Sequence, residues 1–97
     1  MNRLMIVGRL QAGKHADAEA LLREGPPFDP GKLGLHRHAA YLTASEVAFM
    51  FEAPEVQWIV DGIIDDPVLA AALGPWHSIL DGPPHLAHER YYWSSEG

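Results

Sequence analysis

The chain has 97 residues, one domain's worth, with 13 acidic side chains against 7 Lys plus Arg and a formal charge of −6. That charge argues against a nucleic-acid grip and against attraction to anionic membranes, since both need a basic face. A 47% hydrophobic content suits a folded chain, no apolar run approaches a membrane span, and the absence of cysteine excludes disulfides, thiolate metal sites and Cys nucleophiles.

Residues 3–10 read as a strand buried on both faces. Leu4, Ile6, Gly8 and Leu10 form a fully apolar face expected to meet helices. Arg3, Met5, Val7 and Arg9 form the other, apolar in the middle and basic at both ends. Gly13 breaks the chain. A helix is predicted over 14–24, where Ala16, Ala18, Ala20, Leu21 and Leu22 supply propensity and an apolar side. Gly25-Pro26-Pro27 stops it.

A second strand is predicted over 35–42. Leu35, Arg37, Ala39 and Tyr41 alternate with His36, His38, Ala40 and Leu42, so either face suits burial. Thr43-Ala44-Ser45 turns the chain into a third strand over 46–52, closing a hairpin. Val47, Phe49 and Phe51 make its apolar face; Glu46, Ala48, Met50 and Glu52 make the other.

Pro54 suits a helix start. Val56, Ile59, Val60, Ile63 and Ile64 then recur at helical spacing. Trp58 falls opposite that stripe and wants cover, from a partner or from the loop around Trp76. Asp66-Pro67 restarts a short helix, with Asp as N-cap and Pro at the first position. Gly74-Pro75 is expected to end it, with a loop from Trp76 to Pro84 and a last strand over 85–93.

The order strand, helix, strand, strand, helix, strand is that of an α+β, ferredoxin-like βαββαβ domain covering residues 1–97. Its four-stranded antiparallel sheet carries helices on one face. The other face, with Met5, Val7, Ala48 and Met50 at its centre, is apolar and open, and a second copy packed face to face would cover it. A homodimer is therefore expected.

The charge is uneven. Residues 1–49 hold six basic and five acidic side chains, whereas residues 50–97 hold Arg90 against eight acids. Any anion pocket must draw on the first half. Arg9 and Arg37 are candidates to hold an enolate or carboxylate, since a guanidinium stabilises an oxyanion in a dry pocket. The competing reading pairs Arg9 with Glu46 and Arg3 with Glu52 across adjacent strands.

His36 and His38 share a strand face and suit acid–base work near neutral pH or metal ligation. A third ligand is missing. His88 would sit at the opposite sheet edge, roughly 14 Å away, too far within one protomer. His85 and His88 point to opposite faces of a strand, and His77 as a haem ligand has no second feature behind it. Tyr91-Tyr92-Trp93 puts aromatics on both faces of the last strand, and Met5, Met50 and Trp93 are candidates for an apolar pocket wall. Hydrolase elbows, phosphate loops and dinucleotide fingerprints are absent from the sequence.

Arg3-Leu4-Met5-Ile6-Val7-Gly8-Arg9-Leu10, the run from Gly34-Leu35-His36-Arg37-His38 into Phe51-Glu52-Ala53, and the closing Tyr91-Tyr92-Trp93 together resemble the dimeric α/β-barrel proteins. Among these the chain is most similar to the small aromatic polyketide cyclases. The resemblance covers most of the chain at the level of pattern. It implies a homodimer and a cavity between the open sheet face and its surroundings. There a poly-β-ketone chain would be folded toward an aromatic ring without a cofactor or metal. Arg9 and Arg37 match the family pattern. His36-Arg37-His38 replaces its run of arginines, and its hairpin histidine falls on Ala44 or Phe49. Cofactor-independent monooxygenases and haem-degrading enzymes share this fold. The resulting expectation is a small cytoplasmic enzyme acting on an aromatic or polyketide-type compound through Arg9, His36, Arg37 and His38. A non-catalytic dimeric protein for small ligands or interactions is the alternative.

Overall fold

Strict period-2 alternation in the first strand fixes the layering. A computed structural model describes residues 2–96. The elements are β1 (Asn2–Arg9), α1 (His15–Glu24), β2 (Arg37–Leu42), β3 (Glu46–Ala53), α2 (Val56–Asp65), α3 (Pro67–Ala72), α4 (Gly74–His77) and β4 (His85–His88). The sheet is antiparallel with order β2-β3-β1-β4. This is the ferredoxin-like arrangement, with β1 and β3 central.

Register decides what each face carries. Leu4 pairs with Phe51, Ile6 with Phe49 and Gly8 with Val47, so these residues share the helix-covered face. His38 pairs with Phe51, Ala40 with Phe49 and Leu42 with Val47. The face of β2 that the sequence leaves ambiguous is thus settled by its neighbour: His38, Ala40 and Leu42 point toward the helices. Met5, Val7, Ala48 and Met50 lie on the opposite, helix-free face, as the alternation predicts.

The helices are held by local chemistry as well as packing. Val56, Ile59, Val60 and Ile63 bury one stripe of α2 against Leu4, Leu35, Phe51 and Ala53. The Asp66 carboxylate accepts from the amides of Val68 (2.8 Å) and Leu69 (3.3 Å), capping α3 with Pro67 in its first turn. Gly25 at φ +82° ends α1, a conformation costly for other residues.

Two expectations are corrected. Gly74-Pro75 does not open a loop. Pro75 presets φ for one more helical turn, α4, which carries Trp76 edge-on to Phe49 at 5.1 Å between centroids. The last strand ends at His88, not at 93. Beyond it the chain is held by side chains, Glu89 and Tyr92 on the Arg3 guanidinium, and no longer by the strand ladder. Trp58 stays 78% exposed within the chain, so the segment around Trp76 does not cover it.

The core is in two parts. One is centred on α2. The other joins Leu10, Ala18, Val47, Ile79 and Leu80, and Phe49 packs against both.

Candidate functional site

Between those two core clusters the sheet and helices do not close. A largely apolar cavity of about 570 Å³ lies on the helix-covered face, within the usual size of a small-molecule site. Its floor is the sheet: Ile6, Gly8, His38, Ala40, Val47, Phe49 and Phe51. Its walls are Leu21 and Leu22 of α1, Ile63 and Ile64 of α2, and Leu73, Trp76 and Leu80. Gly25, Pro26, Pro27 and Phe28 close one side. Ile64 and Leu86, both substantially exposed, mark the rim.

Local sequence explains the space. Gly8 and Ala40 stand at helix-facing sheet positions where a filled core would place larger side chains. Gly8 also permits a close approach, since a Cβ there would lie 2.8 Å from Leu80 Cδ2. Leu80 is seated against it by the Leu10–Leu80 bridge, by the Gln11 amide donating to the Ile79 carbonyl at 2.9 Å, and by the Asp81 amide donating to the Arg9 carbonyl at 2.7 Å.

His38 is the site's most constrained polar group. Its ring packs against Phe51 (centroids 4.7 Å apart) and Phe28 (5.6 Å). Nδ1 lies 3.0 Å from the Met50 carbonyl oxygen. A carbonyl only accepts, so that contact assigns the proton to Nδ1 and leaves the Nε2 lone pair free. Burial pushes the His38 pKa below its ordinary 6.5, and the Met50 hydrogen bond opposes this in part. The imidazole is therefore neutral at neutral pH, with one nitrogen able to take a proton. His77 and His85 also border the cavity.

The other sequence candidates lie elsewhere. Arg9, Met5 and Met50 are on the helix-free face, and neither they nor Arg37, His36 and Trp93 line the cavity. Arg37 donates to Glu52 at 3.2 Å while its side chain stays 75% exposed. Arg3 binds the other oxygen of Glu52, a residue only 2% exposed, and also Glu89 at 2.5 Å. Tyr92 lies over the Arg3 guanidinium at 3.5 Å. The predicted Arg3–Glu52 pair thus forms. Arg9 and Glu46 face each other in register but form no ion pair among the described residues. His36 is exposed, its amide donating to the Glu52 carbonyl at 2.8 Å. Trp93 is 70% exposed beyond β4. Among the described residues no group of three or more His, Cys, Asp or Glu is placed to hold a metal.

Phe28, Trp76 and the small floor residues carry no sequence pattern that marks them as pocket lining. The available signal is Gly8 and Ala40 on the strand faces that meet the helices.

No family model and no curated protein matches the sequence. Solved structures do match the fold. The chain is similar to tetracenomycin F2 cyclase from Streptomyces glaucescens, a type-II polyketide cyclase, with 15% identity and a TM-score of 0.69 over 98% of this chain and 99% of that one. It is also similar to a Chloroflexus aurantiacus J-10-fl protein assigned as an antibiotic biosynthesis monooxygenase, with 14% identity and a TM-score of 0.52 over 95% of each chain. At these identities the likeness establishes the ferredoxin-like fold. Among the described residues no helix is long and apolar enough to cross a membrane.

Proposed function

We propose that the protein takes a small aromatic or polyketide-type molecule into the cavity between its sheet and helices and acts on it by proton transfer at His38, as a cyclase-like enzyme. The observation that carries this is one imidazole, held neutral by burial and oriented by the Met50 carbonyl, in the wall of an apolar cavity. The greater structural likeness to a cyclase than to the monooxygenase supports the cyclase form.

In this scheme Nε2 takes a proton from the carbon beside a ligand carbonyl, or from the hydroxyl of its enol form, leaving an enolate and an imidazolium. The enolate carbon forms a bond to a second carbonyl carbon of the same molecule. That carbonyl's oxygen then takes the proton back from the imidazolium, so the histidine ends as it began. The two phenylalanine rings hold the imidazole in place and exclude water.

Met5, Val7, Ala48 and Met50 are assigned to contact with a second copy, which makes the proposed unit a homodimer of single-domain chains. A cytoplasmic setting is part of the same proposal.

The test follows α-proton exchange of 1-(2-naphthyl)butane-1,3-dione, a β-diketone with a large enol fraction, in D2O by NMR. The native protein is expected to accelerate exchange, and His38→Ala to lose about 100-fold or more of that rate, the lower range for a general base. Binding without any acceleration by the native protein would leave a ligand-binding protein in place of an enzyme.

A further inference from the structure

The cavity also specifies what it accepts, and this inference rests on the cavity being the ligand site. Among the described residues no Arg, Lys, Asp or Glu lines it. The basic side chains are placed elsewhere: Arg3, Arg9 and Arg37 belong to the helix-free face, Lys14 lies beside Asp17 outside the lining, and Arg23, Lys32 and Arg90 are exposed outside it. A carboxylate entering the cavity would lose its hydration and find no Arg or Lys in the lining to pair with.

His38 adds a second selection. Its Nδ1–H is committed to Met50, so what it offers a ligand is an acceptor at Nε2. A ligand hydroxyl or enol can satisfy it; a ligand carboxylate or an ether oxygen cannot.

We infer that the cavity is specific for uncharged aromatic molecules carrying a hydroxyl or enol that donates to His38, and that it rejects their carboxylate analogues.

Isothermal calorimetry at pH 7.5 with 2-naphthol and 2-naphthoate tests this on the intact chain. 2-Naphthol is expected to bind, with 2-naphthoate at least about tenfold weaker, a difference of about 1.4 kcal/mol. Ala40→Lys adds a cation at an exposed floor position and should narrow the gap by strengthening 2-naphthoate. Naphthoate binding to the native protein as tightly as naphthol overturns the inference while leaving the cavity as the ligand site. Failure of both probes to bind overturns the cavity reading and this inference with it.

Discussion

His38 links fold stability to pH as well as serving the site. Burial lowers its pKa below 6.5 in the folded chain, so just under 6.5 the unfolded chain binds more protons than the native one. The contribution of His38 is complete above pH 6.5 and declines as pH falls toward the lowered value. Urea midpoints at pH 7.5 and 5.5 should show a drop for the native chain and a smaller drop for His38→Gln; equal drops would remove His38 as the cause. Glu52 is the counterpart on the helix-free face, a buried carboxylate between two arginines. Glu52→Ala is expected to cost about 2 kcal/mol, the scale of a charge-assisted hydrogen bond. Arg37→Ala, removing a largely exposed partner, should cost a few tenths, about the value of a surface pair. Chemical denaturation of the two variants side by side checks the ranking, and a costlier Arg37→Ala would contradict it. The Arg3–Glu52 pair was legible in the sequence because register follows from alternation. The neutral state of His38 was not, because it depends on Phe28 and a backbone carbonyl brought in from other parts of the chain.

Helix and strand boundaries show where local chemistry is decisive. Asp66 caps α3 as its sequence requires, and Asp66→Ala should lower stability by about 1 kcal/mol in thermal or urea unfolding. The same Gly-Pro chemistry misleads at 74–75, since Pro ends one helix and opens another equally well. The end of β4 goes with the Arg3 side chain, which takes Glu89 and Tyr92 as partners, and residues 89–93 alone do not reveal it. Gly8 joins β1 to the segment after α4 by close approach to Leu80. Gly8→Val should destabilise by about 1–3 kcal/mol through overpacking, and adding Leu80→Ala should recover part of that loss. A double variant whose cost is the plain sum of the two singles would show that the contact does not couple these elements. The cavity was the least legible feature, because a void belongs to the spacing between layers, and Gly8 and Ala40 are its only traces in sequence.

At the scale of the molecule the two faces of the sheet serve different ends. The helix-covered face holds the cavity, whose walls come from one chain. The helix-free face has an apolar centre ringed by Arg3, Arg9, Arg37, Glu46, Glu52 and Glu89, three charges of each sign. The chain as a whole carries −6, yet this patch is balanced and can meet a copy of itself without net repulsion. Arg9 and Glu46, which form no ion pair among the described residues, can then pair across a two-fold axis. Light scattering should give a mass near twice the 10.7 kDa of the chain, and Met50→Glu, which sets a carboxylate into the apolar centre of each copy, should halve it. A monomeric native protein, or a dimer indifferent to Met50→Glu, would remove this face as the interface. If the variant is monomeric it should still bind 2-naphthol with unchanged affinity, because Met50 contributes to the cavity only through the backbone carbonyl that holds His38.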